Sequence, residues 1–244
     1  MRALYFKEIR SFLGSITGYI FIFIFQIVSG YMLWVDRSFG YNLLEGAEAD
    51  LIPFFNLAPW VFLILIPAIT MRSFAEEKRT GTIELLFTRP ISDLKIVLAK
   101  YLASVSLLII TLIPTFVYYL TMHYIGDPVG IMDDGSALAS YFALILLGSA
   151  FIAVGIFAST LTSSQIVSLI LGVFFCSLLY LGFFLIGNYN LIGNLDSSFQ
   201  YIGMYSHYID MMEGALNTKD VIYFVSVNVL FIFGALTVIK SLKK

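Results

Sequence analysis

Charged side chains are scarce in this chain: Asp, Glu, Lys and Arg together make up 12% of its 244 residues. A soluble globular domain carries about twice that fraction. Hydrophobic residues reach 59% and aromatic residues 16%, and the mean hydropathy is +0.91. This composition excludes an ordinary soluble domain and predicts a polytopic membrane protein.

Residues that commonly build catalytic and metal centres are also few. The single cysteine, Cys176, cannot form an internal disulfide, and its place in an apolar run predicts a small buried filler. The two histidines, His123 and His207, are expected to be isolated surface residues without Cys or acidic partners at metal-ligand spacing. No G-x-x-x-x-G-K-[ST], GxSxG or HExxH spacing occurs. We therefore expect no catalytic residue, no metal site and no directly bound cofactor.

Six apolar segments are each long enough to cross a bilayer, which takes about 20 helical residues. The predicted spans are 16–35, 52–71, 97–122, 138–160, 165–187 and 220–239. The predicted fold is an all-α membrane protein whose residues 1–244 form one transmembrane domain. We expect no cleavable signal peptide, because the first apolar segment is too long for one and no small-residue cleavage site follows it.

Lysine and arginine are distributed very unevenly between the connections. Twelve of the fourteen lie in residues 1–15, in 72–100 or in 240–244, and most acidic residues lie in the other connections. The positive-inside rule therefore predicts that both termini and the connection between spans two and three are cytoplasmic. The same rule accounts for the basic residues without a nucleic-acid-binding face.

Two segments outside the spans are predicted to lie along the membrane surface. Residues 1–15 form an interfacial helix in this prediction, and a disordered basic leader is the alternative. Its apolar face would hold Tyr5, Ile9, Phe12 and Leu13, and its polar face Lys7, Arg10 and Ser11. Residues 188–219 mix apolar and polar residues too evenly for a linker, which predicts short re-entrant helices on the outer side.

Polar groups inside the predicted spans are hydroxyls and amides rather than charges. The missing intramembrane acids and histidines disfavour a carrier coupled to an ion gradient. A thin polar lining, our candidate translocation path, is formed by Gln26, Ser29, Thr111 and Thr115. Two further features are consistent with either ordinary helix packing or a mobile interface. The first is the prolines within the spans, Pro59, Pro67 and Pro114, and the second is two small-xxx-small pairs, Ser149/Ala153 and Gly155/Ser159.

The densest charge lies in SFAEEKRTGTIELLFTRPIS, Ser73 to Ser92. Topology explains its basic residues but not its acids. Thr80 or Thr82 is expected to cap a short helix, Gly81 to ease the turn before it, and Pro90 to close it. This pattern predicts a docking surface for a protein, with a solvated loop as the alternative. The candidate docking residues are Glu76, Glu77, Lys78, Arg79, Thr80, Gly81, Thr82, Glu84, Leu85, Leu86, Phe87, Arg89 and Pro90.

The stretch EEKRTGTIELLFTRPIS, residues 76–92, resembles the signature of ABC-2 type permeases: an acid, a basic pair, Gly-Thr, Glu, Leu-Leu and Pro-Ile-Ser. GIFASTLTSSQIVS (155–168) and HYIDMMEGALNTKDVIYF (207–224) resemble two further segments of these permeases. The similarity covers nearly the whole chain and is greatest to permeases associated with bacterial gliding motility.

The resemblance implies a six-helix subunit that pairs in the bacterial cytoplasmic membrane as a homodimer or heterodimer. Residues 82–87 would be the core of a coupling helix that docks on a separate ATPase subunit, which binds the ATP and Mg²⁺. An accessory membrane subunit is a further expected partner. The function implied is ATP-driven export connected with gliding or secretion. The alternative is a membrane scaffold that moves no cargo.

Overall fold

A computed structural model of the chain describes residues 1–46, 50–88, 91–126, 130, 132–188, 200–214 and 216–243, with only the backbone for 85–87. Residues Ile113–Thr115 form a 3-10 turn and residues Leu178–Gly182 form a π turn, and each joins the helix before it to the helix after it. The helices are α1 (Arg2–Leu13), α2 (Ile16–Trp34), α3 (Ile52–Thr70), α4 (Arg72–Arg79), α5 (Thr82–Phe87), α6 (Asp93–Leu112), α7 (Phe116–Ile125), α8 (Asp134–Leu161), α9 (Gln165–Ser177), α10 (Phe183–Asn188), α11 (Met204–Met212) and α12 (Thr218–Ser241).

Six helical stretches are long and apolar enough to cross a membrane. They are Ile16–Trp34, Ile52–Arg79, Asp93–Ile125, Asp134–Leu161, Gln165–Asn188 and Thr218–Ser241. Each corresponds to one predicted span, and the described part of the chain contains no strand. The predicted all-α fold with six spans is therefore confirmed. Span two is longer than predicted because helix continues into the charged connection, and span three begins four residues earlier and ends three residues later than predicted.

Helix α8 is the centre of the bundle, in contact with α3, α6, α9, α11 and α12. Small residues let the neighbouring backbones approach it closely. A Cβ atom added at Gly155 would overlap the Thr70 side chain of α3, and one at Gly148 would lie 2.5 Å from a methyl of Leu108 in α6. The segment from Gly148 to Gly155 is therefore closely packed against α3 and α6, as its small residues allow.

The peripheral spans α2, α9 and α12 bury much less of their surface than α8 does. Their outward faces are rows of large apolar side chains, such as Ile166, Ile170 and Phe174 of α9. Such faces are stable only against lipid chains or another apolar protein surface. The bundle therefore has a buried centre and an apolar exterior, as a membrane domain requires.

Helix α1 forms over Arg2–Leu13 with the predicted amphipathic pattern, and its position at the membrane surface stays a prediction. Its apolar face, however, packs against α6 rather than facing only lipid, with Phe12 and Leu13 partly buried there. The Tyr5 hydroxyl is 2.8 Å from the Ser106 hydroxyl oxygen of α6. The N-terminal helix is thus attached to the bundle at the end where α3 and α8 finish.

At the opposite end, α11 is one short helix within the segment predicted to be re-entrant, and residues 189–199 and 215 of that segment lie outside the described residues. The Tyr208 hydroxyl donates to the Phe55 carbonyl oxygen at 2.7 Å. Burial raises the pKa of this phenol well above its usual value, so Tyr208 remains a neutral donor. That α11 is re-entrant on the outer side of the membrane stays a prediction.

Candidate coupling site

The charged connection between spans two and three folds into α4 and α5. Met71 has helical backbone angles, so α4 follows α3 directly and extends span two beyond the bundle. Gly81 then adopts a left-handed conformation, with φ of 71°, which glycine reaches without steric cost. The predicted turn at Gly81 is confirmed, and it separates α4 from α5.

The predicted threonine cap is wrong. Gly81 occupies the N-cap position of α5 and no side chain caps the helix. The Thr80 hydroxyl instead donates to the Glu76 carbonyl oxygen at 2.9 Å and lies 2.9 Å from the Thr82 hydroxyl oxygen. Because α4 ends at Arg79, the Thr80 side chain satisfies a carbonyl of the preceding helix rather than an amide of the next one.

A buried lysine joins this connection to two other helices. Lys100 of α6 is 3% exposed, and its Nζ donates to Glu77 Oε1 of α4 at 2.7 Å and to Glu8 Oε1 of α1 at 3.3 Å. The ammonium also lies 5.1 Å from the centre of the Phe74 ring. We call Glu8, Glu77 and Lys100 the Lys100 cluster. It pairs one buried cation with two acids, which is how a buried charge is tolerated.

Sequence reasoning missed Glu8 and Lys100 as site residues. Lys100 was counted only as a cytoplasmic positive charge, although its position inside an apolar helical run was a usable signal of a special environment. Glu8 gave no signal, because it is separated from Lys100 by 92 positions in the chain.

Two further basic residues attach α4 to the bundle. Lys78 donates to the carbonyl oxygen of Thr160 in the last turn of α8, where a cation is favoured by the helix dipole and by unsatisfied carbonyls. Arg72 Nη1 donates to the Thr17 hydroxyl oxygen at the start of α2, at 2.8 Å. Helix α4 therefore has polar contacts with α2, α6 and α8, and it is connected to α1 only through Lys100.

The accessible surface of the connection is consequently smaller than the predicted docking set. Glu77 and Lys78 face the bundle, while Arg79, Thr80, Gly81, Thr82 and Glu84 are exposed. Leu85, Leu86 and Phe87 belong to α5 but only their backbone is described, and Arg89 and Pro90 lie outside the described residues. That the exposed set contacts a partner stays a prediction.

The candidate path residues lie between α2 and the span formed by α6 and α7. Gln26 Nε2 donates to the Thr111 carbonyl oxygen at 2.7 Å, and the Ser29 hydroxyl oxygen is 3.2 Å from that of Tyr118. The Thr115 hydroxyl donates to the Leu112 carbonyl oxygen at 2.7 Å. Their polar groups are thus satisfied within one chain, and their role in translocation stays a prediction.

The expectation of two isolated histidines is wrong. His207 is buried, with Nδ1 2.6 Å from Asp220 Oδ1 and Nε2 2.9 Å from the Tyr201 carbonyl oxygen. His123 Nδ1 lies 3.2 Å from Asp134 Oδ1. Asp134 and Asp220 each belong to the helix that follows the helix of their histidine. Each pair therefore forms only where two consecutive helices fold back against each other. Among the described residues, no group of three or more potential ligands could hold a metal ion.

These features define a polytopic helical membrane protein whose charged connection is built into an ordered extension of its second span. Residues 49–243 match the model of the ABC-2 family transporter proteins. Since this match covers most of the chain, the protein belongs to the ABC-2 family and is a membrane permease component of an ABC transporter. Such components are generally not catalytic, and the family implies an ABC ATPase partner. A search of curated proteins gives no match.

Proposed function

We propose that this permease subunit receives the movements of a separate ATPase through α5 and passes them to its membrane helices through α4. The observation that carries the proposal is the Lys100 cluster, which joins the inner face of α4 to α1 and α6 by buried charge pairs. An exposed segment that is fixed to the bundle in this way moves helices when it is pushed. A solvated loop would not.

The contacts of α4 define three routes for such a movement. Glu77 and Lys100 connect it to span three, Lys78 connects it to the end of α8 in span four, and Arg72 connects it to the start of span one. Closure of two ATPase subunits on ATP and Mg²⁺ would displace α5, and packed helices respond to such a push by rigid rotation or sliding. The chain itself supplies no nucleotide site in this scheme.

Within the family, we assign the protein to the type of GldF, the gliding-motility-associated permease, in a bacterial cytoplasmic membrane. This assignment is supported by the amino-acid sequences of residues 76–92 and 207–224. Its partners would then be a GldA-like ATPase, a GldG-like accessory membrane subunit and a second permease subunit, identical or different. Cytoplasmic placement of α1, α4 and α5 is supported by the twelve basic residues at that end.

The second candidate function is a membrane scaffold that binds the ATPase and moves no cargo. It is favoured by the thinness of the polar lining, whose members already bond within the chain. ATPase activity and flux in proteoliposomes, with and without candidate cargo, separate the two functions. Stimulation by a defined cargo with accompanying flux indicates transport, whereas a constant basal rate without flux indicates the scaffold.

The docking proposal is tested by reversing the exposed charges of the segment in Arg79→Glu/Glu84→Lys. We expect co-purification of the ATPase to fall at least about tenfold, because like charges would then face each other across the interface. The matched control is Arg37→Glu/Glu45→Lys, which reverses an exposed pair 3.4 Å apart at the opposite end. Equal ATPase recovery with both double variants would contradict docking at α4 and α5.

A further inference from the structure

A cavity of about 220 Å³ lies between α1, the start of α2 and α4. It has room for about seven waters at their liquid volume, the size class of a lipid headgroup. Its wall contains three cations and three carboxylates, so it is neutral overall but strongly polar. They are Lys7, Arg72 and Lys100, and Glu8, Glu76 and Glu77.

Two carboxylates in this wall are incompletely paired among the described residues. Glu77 Oε2 is buried without a hydrogen bond, and the Glu76 carboxylate, unlike that of Glu77, is in no ion pair found between described residues. Arg72 and Glu76 are four residues apart on α4, a spacing at which opposite charges usually pair, yet Arg72 turns to Thr17. An unpaired buried carboxylate oxygen is costly, and it calls for an N–H or O–H donor from a bound group.

The opposite charges are ordered along the axis of α4. Arg72 is in its first turn, next to the end of the apolar helix α3, whereas Glu76 and Glu77 lie one turn further from the apolar region. Four residues of α-helix separate Arg72 from Glu76 by about 6 Å along the helix axis. A lipid phosphate lies at the edge of the apolar layer, and an ammonium on a two-carbon arm reaches further out. The cavity therefore presents a cation where the phosphate would lie and acids where the ammonium would lie.

We propose that this cavity binds the phosphoethanolamine headgroup of a membrane lipid. The phosphate would lie at Arg72, and the ammonium would donate to the Glu76 carboxylate and to Glu77 Oε2. The acyl chains would then run beside Ile16 and Ile20, which are exposed at the start of α2. The lipid would bridge α4 and the first span, independently of any docking of α5.

The headgroup chemistry discriminates among common lipids. A choline headgroup has no N–H and cannot donate to Glu77 Oε2, and a glycerol headgroup lacks the ammonium that the acids require. Choline would leave Glu77 Oε2 without a hydrogen-bond donor, and glycerol would bring no positive charge to the Glu76 and Glu77 carboxylates. Phosphatidylethanolamine supplies both charges in the required order.

The test uses the purified full chain, delipidated in detergent and titrated with dioleoyl lipids carrying ethanolamine, choline or glycerol headgroups. Binding is read from the unfolding midpoint and from native mass spectrometry. We expect the ethanolamine lipid to bind at least about tenfold more tightly than either other lipid. Soluble phosphoethanolamine should compete, but weakly, because it lacks the acyl chains.

Two variants locate the site. Glu76→Gln should weaken binding of the ethanolamine lipid at least about tenfold and leave that of the glycerol lipid unchanged. It should also keep the lipid-free unfolding midpoint, since the Glu76 carboxylate is not needed for folding contacts. Arg72→Gln should weaken binding of both lipids. The controls Arg10→Gln and Glu84→Gln remove exposed charges outside the cavity and should change neither.

Equal binding of the ethanolamine and choline lipids would overturn the proposal, as would an unchanged affinity of Glu76→Gln. If soluble phosphoethanolamine bound as tightly as the lipid, the membrane would be excluded as the source of the ligand. None of these results depends on whether an ATPase docks at α5, so failure here leaves the coupling proposal intact.

Discussion

Replacement of Lys100 by methionine tests the connection between α4 and the bundle. Methionine keeps most of the length of the side chain but removes its charge. The change leaves Glu77 without a cation and leaves Glu8 only the exposed Lys7, whose Nζ is 3.8 Å from Glu8 Oε1. These acids have side-chain exposures of 14% and 17%. Removing one partner of a buried ion pair costs about 3–5 kcal/mol. Because both acids keep some contact with water, we expect Lys100→Met to lose about 2–4 kcal/mol.

The triple variant Glu8→Gln/Glu77→Gln/Lys100→Met should recover most of that loss. It removes the two negative charges together with the positive one, and replacing a whole buried charge cluster by neutral groups is often close to neutral in stability. Thermal and denaturant unfolding in detergent micelles, followed by tryptophan fluorescence or circular dichroism, measures both variants. Lys95→Met is the matched control, because Lys95 is exposed on the same helix.

Two results would refute this reasoning. The first is a Lys100→Met variant as stable as Lys95→Met, since the buried pairs would then contribute nothing. The second is a triple variant no more stable than the single one, because the loss would then come from packing of the lysine stem. ATP turnover by the assembled complex provides a second readout, and it should fall in Lys100→Met more than in Lys95→Met.

Two further replacements test the packing and the buried charges away from this cluster. Gly155→Leu should destabilise the chain by about 1–3 kcal/mol or prevent its insertion, because even a Cβ at this position overlaps Thr70; an unfolding curve like that of the wild type would mean that α3 and α8 are not in close contact. His207→Ala should cost about 3–5 kcal/mol, because Asp220 is fully buried and would lose its partner. His123→Ala, at a partly exposed pair, should cost at most about 0.5 kcal/mol, and equal losses for the two histidine variants would contradict the buried pair.

The spans could be predicted from the sequence because their cause is local. A segment in lipid must satisfy its own backbone hydrogen bonds, so length and hydropathy suffice to find the helix. The amphipathic pattern of α1 was readable for the same reason, and so was the turn at Gly81. The pattern could not tell which surface covers the apolar face of α1, and the structure has α6 there in part.

The inward contacts of the charged connection could not be predicted. Glu77 meets a lysine 23 positions later, and that lysine also meets an acid 92 positions earlier. No helical or strand periodicity relates residues that are so far apart in the sequence. His207 and Asp220 are only 13 positions apart, but they meet because α11 folds back against α12. Sequence patterns therefore located the charged connection and overestimated how much of it is accessible.

The central claim is that α5 contacts the ATPase, and site-specific photo-cross-linking in cells tests it most directly. A photoreactive amino acid is placed at position 84 on α5, or at position 213, an exposed position just after α11 at the opposite end. We expect a covalent adduct with the ATPase from position 84 and none from position 213. No adduct from position 84, or equal adducts from both positions, would contradict it.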